Sequence, residues 1–323
     1  MTRALPPERF DLCESGQAMC PGQQMRVASA SPFPQLEGRH PCFSLTAEGH
    51  AKSGRLHLPV SPGCNIRCRF CKRDFNDSER RPGVAHGLLS PEQALEVVAR
   101  ALKLCPQITV IGIAGPGDTL MTDHAIRTFE MIHAAYPRLI NCLSTNGLLL
   151  PEKAERVVNA GVETVTVTVN AVDPKIQAQI NPSILYQRRW RHGEEAAALL
   201  IANQIAGIRR VVELGGVVKV NTVLVPGINQ DHVGAVAETV AAAGASLINI
   251  IPLIPQHELA NIAAPTPAAL EKARAAAAGH LAVFSHCQRC RADACGIPGI
   301  SEFSGELYGI SAADFHASTF SHG

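Results

Sequence analysis

From residue 55 onward, short β-branched runs alternate with Ala/Leu/Glu-rich stretches. The runs RLHLPVS (55–61), ITVIGIAG (108–115), LINCLST (139–145), TVTVTVN (164–170), VVKVNTVLV (217–225) and LINIIPLI (247–254) predict strands. Helical patterns fill the intervals at 90–104, 123–136, 151–161, 193–207, 231–244 and 267–280. Pro or Asp opens several of these and Gly closes several, the residues expected at helix starts and stops. Strand and helix alternating six times give parallel β–α units wound in one hand. The expected fold class is therefore α/β, as an open, partial (β/α)6 TIM-like barrel, because two units are missing from a closed eightfold one. A doubly wound sheet is the competing topology. In both, ligands collect at the carboxyl ends of the strands.

Residues 1–38 are Pro-rich, carry Cys13 and Cys20, and show no sustained period, which predicts an irregular N-terminal arm. Residues 39–297 form the expected core with its flanking segments, and 298–323 read as a short tail. Hydrophobic residues at 46% and charged residues at 18% supply a sizeable core and exclude a wholly disordered chain. With 29 Lys+Arg against 28 Asp+Glu there is no broad basic field for nucleic acid. Aromatics at 4%, one of them Trp, also argue against a base-stacking surface. No apolar run reaches the roughly 18 to 20 residues that span a bilayer. MTRALPPERFDLCESG lacks the apolar centre of a secretory signal, so a cytoplasmic location is expected.

Eleven cysteines change the picture. A disulfide scaffold is usually small and poor in core, whereas this chain is large and rich in Ala, Val and Ile. Clustered thiols in such a chain point to metal or redox chemistry. After the first strand, CNIRCRFC places Cys64, Cys68 and Cys71 in a C-x3-C-x2-C array. Three thiolates on one loop can hold three irons of a cubane and leave the fourth open to a ligand. The plain alternative is a zinc knuckle, although zinc prefers four protein ligands.

A cysteine triad after the first β/α strand, with Phe70 before its last cysteine, resembles the radical S-adenosylmethionine (SAM) superfamily. That resemblance implies a [4Fe-4S] cluster whose open iron chelates SAM, which is cleaved reductively to a 5′-deoxyadenosyl radical. It also assigns SAM contacts to the following strand ends: Gly115, Gly117 and Asp118 of GPGD, and Thr145 and Asn146 of STNG. Thr168, Asn170, Val220 and Asn221 on the next two strands complete the set. Asp118 would accept from the ammonium of SAM; its plain alternative is a helix-capping turn.

Further sulfur lies in HPC (His40, Cys42), on strand three (Cys142) and in HCQRCRADACG, with His286, Cys287, Cys290 and Cys295. His57 sits on the first strand. A remote C-x2-C reads as a metal site; Cys142 and His57 taken alone read as buried core.

HPC, the triad, IAGPGD, LSTNGL, VDP followed by IQAQI, VNTVLVPGIN, NIIPLI and HCQRCRADACG together, in this order, resemble the NifB family of nitrogenase cofactor-assembly proteins over residues 40–297. The resemblance implies fusion of two [4Fe-4S] substrate clusters into an eight-iron product with a carbide taken from SAM. One SAM donates a methyl group and a second yields the radical. N- and C-terminal extensions of the barrel would then supply Cys42, Cys287 and Cys290, and the strands Cys142, as candidate ligands of the substrate clusters, with His57 on the first strand as a further nitrogen candidate. The implied partners are an iron–sulfur donor, an electron donor and a downstream acceptor protein, with no nucleic acid and no membrane. The carrier domain that ends longer members is not expected here. One departure stands out: CKRDFNDSERRPGV has Asn76 and Asp77 where the family has a further cysteine. Asp77 is a harder ligand than thiolate, and Cys105 or Cys295 are the other candidates to fill that role. The competing functions are another radical SAM maturase with electron-relay clusters, a non-catalytic iron–sulfur scaffold, and a structural zinc protein.

Overall fold

The structure, a computed structural model, describes residues 33–36 and 38–308 and the short strand Ser321–His322. The sheet strands are β1 (Gly54–His57), β2 (Ile108–Ile113), β3 (Ile140–Thr145), β4 (Val162–Thr168), β5 (Val217–Leu224), β6 (Leu247–Pro252), β7 (Val283–Phe284) and β8 (Cys295–Gly296). Their order is β7-β6-β5-β4-β3-β2-β1-β8. All neighbours are parallel except β8, which lies antiparallel to β1. The two ends of the sheet are not paired with each other, so the barrel is open, as the six-unit reading requires.

Helices α1 (Pro91–Leu104), α2 (His124–Ala135), α3 (Leu150–Asn159), α4 (Pro174–Ile180), α5 (Gly193–Glu213), α6 (Val233–Ala242), α7 (Pro267–Ala278) and α8 (Ser304–Tyr308) follow the strands. The start of α1 has a local cause. The Ser90 side chain accepts from Gln93 N, the Gln93 side chain accepts from Ser90 N, and Pro91 holds the first helical position. Along α1, Ala94, Val97, Val98 and Ala101 form the face buried against the sheet.

Strand alternation sets the two faces of the sheet. In TVTVT, Val165 and Val167 enter the helix-facing core with no exposure, so Thr164, Thr166 and Thr168 face the barrel interior. The same parity turns Arg55, His57, Cys142, Lys219, Asn221 and Asn249 inward. At the amino ends of the strands the interior is plugged by Phe33, Leu36, Phe43 and Phe284, packed on Val110, Ile140, Val217 and Leu247.

Three boundaries differ from expectation. Phe33 and Leu36, expected in the arm, belong to this plug, while residues 1–32 with Cys13 and Cys20 lie outside the described residues. The expected tail is part of the fold as far as α8, whose Leu307 and Tyr308 are each 1% exposed. Between α4 and α5 the chain also forms a hairpin, Ser183–Tyr186 with Arg189–His192, that no pattern announced.

Candidate functional site

The cysteine loop lies at the carboxyl end of the strands and is fixed from three sides. Ile66 and Arg67 pair with Ile184 and Ser183 of the hairpin. Gly117 N donates to Ser61 O at 2.8 Å and Asp118 N to Gly63 O at 2.7 Å, binding the GPGD turn to the start of the loop. A Cβ at Gly117 would overlap the Gly63 carbonyl, so this approach needs glycine. Gly115 has φ +132°, a conformation that side chains oppose.

Cys64, Cys68 and Cys71 are free, half-buried thiols on this loop. Cys71 N donates to Cys68 O at 2.9 Å, and Asn181 Nδ2 donates to Cys68 Sγ at 2.9 Å. Asn146 Nδ2 reaches Cys64 Sγ at 4.0 Å and Asn65 Oδ1 at 2.7 Å, while the buried Asn65 Nδ2 has no partner. Burial pushes the Cys64 thiol up to about 12, with the Asp118 charge adding to it; burial also raises Cys68 and Cys71. The metal-free thiols therefore carry their protons at neutral pH, and iron binding must displace them. Among the described residues, no three His, Cys, Asp or Glu side chains converge on a single metal ion. Three thiols on one loop with N–H donors aimed at sulfur fit a cubane.

Asp118 is neither exposed nor a helix cap. It is 5% exposed and accepts from Thr145 Oγ1 (2.9 Å), Asn146 N (2.7 Å) and Leu120 N (3.0 Å). Burial raises its carboxyl above 3.8, against the pull of those bonds. Asp118, Thr145 and Asn146 thus form one bracket joining the loops after β2 and β3. Asn170 is a second bracket, its Oδ1 accepting from Val223 N at 3.0 Å. Gln204 on α5 donates to both Asn146 O and Thr168 O at 2.8 Å, a buried tie that the sequence did not suggest. Thr168 and Asn221 are register partners and face the interior. Val220 is a correction: its side chain has no exposure and lies in the helix-facing core, so only its backbone borders the site.

Deeper in the barrel the remaining sulfur candidates come together. Cys42, Cys142 and Cys287 pack against the aromatic plug. Burial pushes the Cys42 thiol up to about 12; Lys219 pulls it down, while Cys290, Cys142 and Cys287 push it further up. Lys219 is 6% exposed, donates to Cys42 O at 3.4 Å and stands over the rings of Phe43 and Phe284 at 5.1 and 5.3 Å. Arg55 donates to Cys290 Sγ at 3.4 Å and to Glu302 at 3.0 Å. Neither cation was singled out from sequence, where a strand Lys or Arg reads as a solvated residue. Together they set positive charge around the sulfur group.

His57 Nδ1 lies 2.9 Å from Arg291 O, which makes it the donor and leaves Nε2 with the lone pair. Burial, with Arg55 beside it, pushes His57 down to about 4. His40 caps the HPC turn, its Nδ1 accepting from Cys42 N at 3.2 Å; burial and Lys219 hold its pKa well down. Burial lowers His50 as well. Below pH 6.5 the unfolded chain takes protons that these folded histidines refuse, so stability is lost as pH falls from about 6.5 toward 4. The iron-free protein should melt at steadily lower temperature across that window, with a shallower decline in His57→Gln. A melting temperature level from pH 6.5 to 4.5 would contradict this account of the interior.

Cys105 and Cys295, the other candidates for the missing cysteine, are 2% and 0% exposed in the helix-facing core. Neither reaches the chamber. Asp77 borders a cavity of about 690 Å³ that Cys290, Arg55 and His86 also line.

An open β/α barrel with a cysteine triad after its first strand defines a radical SAM protein, and the Radical SAM superfamily model matches residues 58–240, more than half of the chain. A solved radical SAM methyltransferase from Sphaerobacter thermophilus is similar in fold (TM-score 0.52, 22% identity, 71% of this chain and 64% of that one). So is SuiB of Streptococcus suis bound to S-adenosylmethionine (TM-score 0.51, 12% identity, 80% and 57%). Within the superfamily, the chain belongs to the NifB family. It is 42% identical over 280 residues to the FeMo cofactor biosynthesis protein NifB of Methanocaldococcus infernus, covering 86% of this chain and 92% of that protein. It is also 42% identical to the Klebsiella pneumoniae protein of the same name, covering 80% of this chain and 57% of that longer one. Among the described residues no helix is long and apolar enough to cross a membrane.

Proposed function

We propose that this chain fuses two [4Fe-4S] substrate clusters and inserts a SAM-derived carbide, making the eight-iron precursor of the nitrogenase cofactor. The observation that carries this reading is the gathering of Cys42, Cys142, Cys287 and Cys290 around Lys219 and Arg55, on the same open barrel whose carboxyl end bears the cysteine triad. When bound at Cys64, Cys68 and Cys71, the resident cluster supplies one electron and an open iron for SAM.

The remaining roles fall to the chain itself. Asn181 and Asn146 direct N–H groups at sulfur, which favours the thiolate form. Thr168 and Asn221 offer polar side chains to SAM, and Gly115 and Gly117 admit it to the backbone. Asp118, Thr145 and Asn170 position these strand ends. Lys219 and Arg55 offset the negative charge of thiolate-bound clusters in a low-dielectric interior. His57 offers Nε2 as a nitrogen ligand. An iron–sulfur donor, an electron donor and an acceptor protein complete the reaction sequence.

Reconstituted anaerobically with iron, sulfide, reductant and SAM, the chain should release S-adenosylhomocysteine and 5′-deoxyadenosine in equal amounts. The first reports methyl transfer and the second hydrogen abstraction. 5′-Deoxyadenosine alone would favour a maturase with relay clusters, and neither product would favour a scaffold.

A further inference from the structure

The cavity at Cys290 contains a histidine that none of the motifs above includes. His86 follows Val84–Ala85, which pairs in parallel with Asp74–Phe75 just beyond the cysteine triad. That ribbon brings His86 and Asp77 to the same cavity as Cys290. His86 is held there by contacts on several sides. Its backbone N donates to Asp293 Oδ2 at 2.6 Å, and its ring Nδ1 lies 2.6 Å from the same oxygen. The Asp293 side chain has no exposure and accepts from Arg291 Nε at 2.8 Å and Arg291 Nη2 at 3.0 Å. Tyr308 stacks on the imidazole at 5.9 Å between centroids.

This arrangement fixes the tautomer. Nδ1 also lies 3.2 Å from Arg291 Nη2, which can only donate, but the carboxylate oxygen is nearer at 2.6 Å and would repel a lone pair, so Nδ1 carries the hydrogen and donates it to Asp293. The lone pair of the neutral ring is then on Nε2, which has no hydrogen-bond partner among the described residues. His86 lines the cavity and is oriented through one ring nitrogen by a buried carboxylate, as metal-binding histidines commonly are. Asp77, by comparison, is exposed and is a hard oxygen donor.

We propose that His86 Nε2 is a ligand to an iron of the substrate cluster held at Cys290. The step is one of ligation only: a lone pair of the neutral imidazole fills an iron coordination position, and no electron is transferred. The proposal rests on the reading that Cys290 holds a substrate cluster.

The test uses the full chain, reconstituted with iron and sulfide without SAM and reduced with dithionite. Iron content, melting temperature and pulsed EPR are measured, with 15N-labelled histidine identifying nitrogen bound to iron. His86→Asn keeps an N–H toward Asp293 but has no Nε2, and His86→Cys offers a thiolate instead. A histidine nitrogen coupling that persists in His57→Gln should vanish when either His86 substitution is added to His57→Gln. His86→Asn should hold up to about four fewer irons per chain, and His86→Cys should recover them. If Cys290→Ser loses a cluster while both His86 variants, made in the His57→Gln chain, keep the iron and the nitrogen coupling, this proposal fails and the Cys290 reading stands. If Cys290→Ser keeps all its iron, the underlying reading fails and this proposal fails with it. A loss of melting temperature in the iron-free His57→Gln/His86→Asn chain relative to His57→Gln, with the coupling intact after loading, would assign His86 a structural role and overturn the proposal.

Discussion

Replacing Cys68 with alanine should reduce reductive cleavage of SAM to background. The triad supplies three ligands to one cubane, and Cys68 is the member whose sulfur receives the clearest hydrogen bond, from Asn181 at 2.9 Å. Removing it leaves two thiolates for a cluster that needs three, so about four irons per chain should be lost. The loss should not come from unfolding. Cys68 is half-buried, packs against the cluster of Ile66 and Ile184 and accepts the Asn181 bond, so alanine should cost about 1 kcal/mol, while the loop stays paired to the hairpin through Ile66 and Arg67. A melting temperature of the iron-free chain lowered by only a few degrees, together with absent 5′-deoxyadenosine, is the expected pair of results. Turnover at the parental rate would remove the radical SAM chemistry from this loop.

The second large effect is expected at the C-terminal pair. Cys287 packs against the aromatic plug, and Cys290 lies beside Arg55 with its charge felt at Cys42. Converting both to serine should cost roughly one cubane of iron and all of the eight-iron product. SAM cleavage should persist in an uncoupled form, because the triad is local to its own loop and shares no ligand with this pair. If the pair instead clamped the fold through a structural metal, melting temperature would fall first, since such metals contribute directly to folding free energy. Full product from the double variant would exclude a role for either thiol.

The frame of the barrel was legible because the hydrophobic period changes each time the chain passes from strand to helix. All six main strands and the six expected helices fall within a few residues of their expected limits; α5 runs on through Ile208–Glu213, and α4 (Pro174–Ile180) was not expected. What escaped was short or polar. The strands Val283–Phe284 and Cys295–Gly296 have two residues each, too few to show a period. The hairpin strand Arg189–His192 reads RWRH, without the apolar alternation that marks a half-buried strand.

The site was legible in proportion to how local it is. Cys64, Cys68 and Cys71 sit within eight consecutive residues and announce themselves by spacing. Lys219, Arg55 and His86 do not, because their meaning depends on partners far along the chain. Arg55 meets Gly296 across 241 positions, and His86 meets Asp293 across 207. The direction of Val220 follows from parity: in VVKVNTVLV the interior positions are Lys219 and Asn221, which turns the Val220 side chain toward the helices and leaves its backbone for the site. Cys105 and Cys295 were candidates only while the faces of their segments were unknown.

The central claim is carbide insertion by this one chain, and SAM carrying an isotopically labelled methyl carbon tests it most directly. After anaerobic reconstitution and turnover, the cluster product is separated from the protein and its iron and label are counted. The account predicts one labelled carbon for each eight irons in that product. An eight-iron product without label, or label released entirely as a small molecule while the irons remain in separate four-iron clusters, would contradict it.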